Sequence, residues 1–149
     1  MKLLVAVDGS EESRQALAYA TDIADATDGS IVVVHAVDPS AYDQGGTEPV
    51  ATPADADRRL ILESVEDAEA RGLDLLDDAA AFARELGRDV ETELLYGDPV
   101  TAVTDYAEAE SVDTVYVGHR GRSERTDRMF GSVAKALVER ASVPVTVVR

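Results

Sequence analysis

The sequence predicts a single doubly wound α/β domain, a five-stranded parallel sheet with helices on both faces, and three observations predict it. Short valine-rich apolar runs alternate with longer stretches whose apolar residues recur at helical spacing. The resulting order is β-α-β-α-β-α-β-α-β, and strands joined by helices pair in parallel. Helix-start residues and glycines punctuate the junctions. No internal repeat or linker divides the 149 residues, a length that suits one core.

Leu3 to Val7 is a continuous apolar run, as in a strand buried on both faces. Ser10 can cap the helix that follows, with Glu11 and Glu12 in its first turn. Ala16, Leu17, Ala20, Ile23 and Ala24 line one helical face, and Gly29 is a fitting stop. Ile31 to Val37 reads as the second strand. Residues 38–57 hold three prolines and two glycines among small polar residues, the composition of a flexible loop. A long helix is expected from Arg58 to Leu86, ended by Gly87. Val90 to Tyr96 alternates as a third strand. Asp98 caps a helix that opens on Pro99 and runs to Glu110. Val112 to Val117 is the fourth strand, Ser132 to Arg140 the fourth helix and Val143 to Val148 the fifth strand. Pro144 near its start suits an edge strand, or one that pairs with another subunit.

Thirty acidic residues against fourteen basic ones give a net charge of −16, and Lys2 and Lys135 are the only lysines. General nucleic-acid binding needs a basic face and is argued against. A strongly acidic surface with little lysine matches the proteins of salt-loving cells. The opening apolar stretch breaks at Asp8 with no small-residue cleavage site after it. It reads as a buried strand rather than a signal peptide. No apolar run approaches the roughly 18 residues that span a bilayer, so a cytoplasmic protein is expected. There are no cysteines, which excludes disulfides and thiol chemistry.

The residues that suggest chemistry lie between the fourth strand and the fourth helix, in VYVGHRGRSERTDRMFGSVAKA, residues 115–136. Gly118 and Gly121 allow sharp backbone bends and close approach of an anion to main-chain N–H groups. Gly131 and Ser132 are read as opening a helix, whose unpaired N–H groups and dipole attract phosphate. Arg120, Arg122, Arg125 and Arg128 fall in this one segment of an acidic chain, and the arginine fork suits phosphate oxygens. Neither G-x-x-x-x-G-K-[ST] nor a G-x-G-x-x-G after the first strand is present, so the commoner nucleotide fingerprints fail.

Gly118, Gly121, Gly131 and Ser132 match G-x2-G-x9-G-[ST], and with this motif the chain resembles the ATP-binding branch of the universal stress protein family. The resemblance extends to VAVDGS at residues 5–10, VVVHAVD at 32–38, Tyr96-Gly97-Asp98-Pro99 and VPVTVV at 143–148. It implies strand order 3-2-1-4-5, and with it a ligand crevice at the carboxyl ends of strands 1 and 4. It further implies that Val7 and Asp8 hold the adenosine end, with Asp8 near the ribose or a phosphate-bound Mg2+. The main chain of Ala36 is implied to read the adenine edge, and Gly97 to close the pocket wall. Val117, Gly118, His119, Arg120, Gly121, Gly131, Ser132 and Val133 are implied to surround the phosphates. Where the family commonly carries Gly-Ser-His-Gly or Gly-Thr-His-Gly, this chain has Gly118-His119-Arg120-Gly121. The histidine stands one place early, and Arg120 supplies a further phosphate contact instead. The family also implies a homodimer, often through the last strand, and a stress-linked role.

Residue by residue, blander readings compete. Asp8 is as readily a helix cap as a ligand, and His35, inside a buried strand, reads as a hydrogen-bonded core histidine. No catalytic residue is assigned, because His119 has no second base or orienting carboxylate beside it in sequence. The reading is a nucleotide-dependent regulatory homodimer with ATP as cofactor. The alternative is an ATP-dependent transferase or slow ATPase of the related adenine-nucleotide α-hydrolase-like group. A phospho-receiver domain would need paired acids after strand 1, where this chain has Asp8-Gly9.

The charge surplus yields one prediction. Repulsion among carboxylates is screened as the Debye length falls from about 30 Å at 0.01 M salt to about 3 Å at 1 M. The thermal midpoint is expected to rise between these two conditions. Equal midpoints would remove the salt-adapted reading of the composition.

Overall fold

Leu3, Leu4 and Val5 are wholly buried, the condition the opening apolar run requires, and they sit in the middle strand of the sheet. The computed structural model describes residues 1–39, 53–119 and 127–149, with side chains described outside 53–64 and 127–132. Its strands are β1 (Lys2–Ala6), β2 (Ser30–Val37), β3 (Glu91–Tyr96), β4 (Thr114–Gly118) and β5 (Val145–Val148). Its helices are α1 (Glu11–Thr27), α2 (Pro53–Glu85), α3 (Pro99–Ala109) and α4 (Asp127–Arg140). All strand pairs are parallel, and the order is β3-β2-β1-β4-β5.

Alternation along the strands divides the core in two. Leu3, Val5, Val7, Ile31, Val33 and Tyr116 face α1 and α2, meeting Ala16, Leu17, Ala20, Leu76 and Ala83. Leu4, Val32, Val34, Val115 and Val117 face α3 and α4, meeting Val100, Val103, Ala134 and Leu137. Each fully buried leucine or valine contributes about 1.5–3 kcal/mol of transfer free energy.

The expected caps form. Ser10 accepts the Ser13 N–H at 3.1 Å at the start of α1. Asp98 accepts the Thr101 N–H at 3.1 Å at the start of α3, with Pro99 in the first turn. Pro144 lies just before β5, and its carbonyl accepts the Val115 N–H at 2.9 Å. The edge position expected from that proline is observed. The other edge, β3, exposes Glu91, Thr92 and Glu93.

Several boundaries differ from the sequence reading. The residue in left-handed conformation at the end of α1 is Asp28, at φ 53°, rather than Gly29; aspartate tolerates that region through its short polar side chain. The long helix starts at Pro53, not Arg58, because proline suits a first helical turn. Residues 40–52 of the expected loop lie outside the described residues. The last helix starts at Asp127, not Ser132. An acid fits a first turn, and a helix carries an internal glycine for about 1 kcal/mol, so Gly131 does not mark a boundary.

Gly118 shows how tightly the layers meet. A Cβ placed there would lie 2.5 Å from the carbonyl carbon of Glu12 and 2.6 Å from the Ser13 nitrogen. The first turn of α1 therefore rests on β4 at a point only glycine permits. Gly118→Ala is expected to destabilise the fold by about 1–3 kcal/mol, the usual cost of overpacking. Denaturant unfolding measures this, and an unchanged midpoint would show that α1 is free to move aside.

Candidate functional site

At the carboxyl end of the sheet, strand order reverses around β1: the chain leaves β1 toward β2 on one side, and β4 fills the other. The connections on either side diverge, and a crevice opens where sheets of this type take ligands. A cavity of about 200 Å³ lies there, lined by Ala6, Val7, Asp8, Ser13, Val34, His35, Ala36, Pro99, Val103, Val117, Gly118, Val133 and Leu137. Its walls come from the ends of β1, β2 and β4, the first turns of α1 and α3, and the middle of α4.

The polar groups around it are mostly organised by the main chain. The Oδ1 of Asp8 accepts from the Ser10 N–H at 2.9 Å and from the Ser10 hydroxyl at 2.5 Å. The Ser13 hydroxyl donates to the Ser10 carbonyl at 2.9 Å. Asp8 is therefore not itself the cap of α1; it braces Ser10, which is, and it lines the cavity. His35 Nδ1 lies 2.8 Å from the Val7 carbonyl oxygen. A carbonyl only accepts, so this ring nitrogen carries the proton and donates.

The main chain at Ala36 is also oriented. The Val7 N–H donates to the Val34 carbonyl at 2.9 Å, and the Gly97 N–H to the Val37 carbonyl at 2.9 Å. Peptide groups alternate sides along a strand. Ala36 therefore turns its N–H and C=O the same way as Val34, toward β1. The β1–β2 register ends at Ala6↔Val34, so Ala36 faces the space beyond the last rung.

Of the residues singled out from sequence, Val7, Asp8, Ala36, Val117, Gly118 and Val133 come together around this cavity. Gly97 and His119 do not line it. Gly97 sits just past β3 at φ +120°, where a side chain would be strained, so its glycine is explained by the turn. Beside it, the Tyr96 hydroxyl donates to Glu69 at 2.5 Å, and that bond to a carboxylate raises the phenol pKa. The His119 N–H donates to the Val148 carbonyl at 2.7 Å, extending the β4–β5 ladder, so this amide is not open to an anion. Gly131 and Ser132 fall inside α4, beyond the first four N–H groups that a helix leaves unpaired. Arg120, Gly121, Arg122 and Arg125 lie outside the described residues.

Sequence reading did not assign Ala6, Ser13, Val34, His35, Pro99, Val103 or Leu137 to the site. Pro99 and Ser13 reach the cavity because each lies in the first turn of a helix leaving a strand end, a placement the cap signals at Ser10 and Asp98 imply. Nothing in sequence singles out Val103 or Leu137 from other core positions. A larger groove of about 610 Å³ runs between α1 and α2, where Arg14 stacks 4.3 Å over the Phe82 ring. It is lined by both signs of charge and lies beside, rather than at, the strand reversal. Among the described residues no cluster of three or more His, Asp or Glu could hold a metal ion, and no helix is long and apolar enough to cross a membrane.

Known proteins share this fold. The chain is 29% identical over 148 residues to the universal stress protein MJ0531 of Methanocaldococcus jannaschii, covering 99% of this chain and 81% of that one. The solved universal stress protein UspA of Lactobacillus plantarum superposes with a TM-score of 0.76 at 22% identity, over 100% of this chain and 97% of that one. A universal stress protein crystallised in complex with cAMP superposes with a TM-score of 0.71 at 24% identity, over 100% and 96%. The family model described as the Universal stress protein family matches residues 1–149, and this chain belongs to that family.

Proposed function

We propose that this chain binds an adenine nucleotide, with ATP as its cofactor, and acts as a nucleotide-dependent regulatory homodimer in a stress response. The observation that carries the reading is the cavity at the strand reversal, where Val7, Asp8, Ala36, Val117, Gly118 and Val133 meet. Its volume of about 200 Å³ is short of the roughly 300–1,000 Å³ of pockets for larger ligands. It suits the base, with ribose and phosphates extending outward past Gly118. Solved members of the family in complex with cAMP, dAMP and AMP support an adenine ligand.

The adenine edge carries an acceptor nitrogen beside an amino donor, and the Ala36 N–H and C=O are their complement. For the phosphates the support is the motif itself, Gly118-x2-Gly121-x9-Gly131-Ser132, together with the arginines from Arg120 onward. Because α4 starts at Asp127, Gly131 and Ser132 lie inside the helix, past its unpaired N-terminal amides. Mg2+ that accompanies ATP is held by phosphates and one or two carboxylates. Asp8 is the only carboxylate among the described lining residues, which fits that requirement.

The alternative of a transferase or slow ATPase needs a placed base. The titratable side chains among the described lining residues are Asp8 and His35, and each already holds main chain in place. The homodimer is supported by β5, an edge strand whose Val145, Val147 and Val148 are half-buried and whose outer backbone groups meet no further strand among the described residues.

Two measurements test the reading. Mass spectrometry of small molecules released when the purified protein is denatured is expected to show an adenine nucleotide. Calorimetric titration is expected to show ATP binding that Gly121→Val weakens by about tenfold or more, a loss of about 1.4 kcal/mol or greater, with the unfolding midpoint retained. A variant that binds ATP as the parent does would remove Gly121 from the phosphate site.

A further inference from the structure

In a parallel sheet each strand residue that faces its neighbour donates one rung and accepts the next. The Val7 N–H donates to the Val34 carbonyl at 2.9 Å. The next rung would run from the Ala36 N–H to the Val7 carbonyl. The register stops before it. The Val7 carbonyl instead receives the His35 Nδ1–H at 2.8 Å.

We infer that His35 is a positioning residue: its imidazole occupies the Val7 carbonyl in place of the next rung and keeps the Ala36 N–H turned into the cavity as a base-reading donor. The inference rests on the adenine site proposed above and names what sets its specificity. The edge that Ala36 presents is a donor beside an acceptor. Adenine meets it with its N1 acceptor and N6 amino donor. Guanine presents an N1–H donor and an O6 acceptor on that edge, so N–H would face N–H and oxygen would face oxygen. Were the rung closed, the Ala36 N–H would be consumed within the sheet and the discrimination lost.

The seat of the imidazole supports this role. Gly72 lies inside α2, where glycine costs about 1 kcal/mol relative to alanine. A Cβ at that position would lie 3.1 Å from His35 Cδ2 and 2.9 Å from Leu94 Cδ1. The helix thus passes directly over the ring, and the missing side chain is what makes space for it. The ring is fixed by the helix on one side and by the Val7 carbonyl at its Nδ1 edge.

The test compares the parent with His35→Val and His35→Asn, reading Ala36 amide exchange by NMR and the affinities for ATP and GTP by calorimetry. Valine favours a strand and offers no donor, so the rung is expected to close. The Ala36 amide should then exchange at least about tenfold more slowly in the nucleotide-free variant, and ATP affinity and the preference for ATP over GTP should each fall by about tenfold. Asparagine places an amide N–H near the position of Nδ1, and should restore both readouts toward the parent. A merely structural role would lower stability without slowing Ala36 exchange or altering the ATP-to-GTP ratio. His35→Val with parental Ala36 exchange, or with the parental nucleotide preference, would overturn the inference. Should His35→Val fail to fold, His35→Leu, which likewise offers no donor, replaces it. Preserved preference in that variant would likewise overturn the inference. A parent that binds no adenine nucleotide would sink the proposed function instead, while the exchange comparison would still decide whether His35 blocks the rung.

Discussion

The reversal of strand order around β1 is the constraint on which the site depends. A parallel sheet satisfies its main chain by pairing each strand on both sides. β1 is held by β2 on one side and β4 on the other, and it is also the shortest in reach at the carboxyl end, stopping at Ala6 while β2 continues to Val37. Main-chain groups of β2 beyond that point face a space rather than a strand. The core of Leu3, Leu4, Val5 and their neighbours holds the sheet rigid, so this opening is fixed by the packing of the fold.

Two glycines show the same logic from the side of the helices. Gly118 lets the first turn of α1 settle on β4, and Gly72 lets α2 pass over His35. In both cases the absent side chain is a matter of how closely two layers approach. Gly118 belongs to the nucleotide motif, yet its nearest neighbour is the α1 backbone. The motif residue thus helps set the position of the cap at Ser10 and Asp8, and through it one wall of the cavity.

Much of this was legible in the sequence, for identifiable physical reasons. The runs at Leu3–Val7 and Ile31–Val37 announce buried parallel strands because both faces must be apolar. Ser10 and Asp98-Pro99 announce helix starts because their side chains satisfy otherwise unpaired N–H groups. The sequence reading opens α4 at Ser132 because Gly131-Ser132 has the look of a helix start, whereas the helix begins at Asp127 and carries that glycine inside it. Asp28 took the left-handed position that Gly29 was expected to take, a choice between neighbours that local propensity does not resolve. Val7, Asp8, Ala36, Val117, Gly118 and Val133, singled out by topology and family pattern together, line the cavity at the strand reversal. His119 and Gly97 were not brought to the cavity, since a ladder bond and a turn account for them. His35 was recognised as hydrogen-bonded, but its partner is fixed by register, which sequence does not give.

The two margins of the sheet are chemically unlike. β3 ends the sheet with exposed Glu91 and Glu93, whereas β5 ends it with half-buried valines. A strand arriving at β3 would bring its own backbone against two carboxylates that repel a second acidic copy. The proposed association through β5 would leave the carboxylate-bearing β3 strands as its outer margins. A dimer joined in that way would be self-terminating, because the carboxylates at its two outer margins would turn a further acidic copy away.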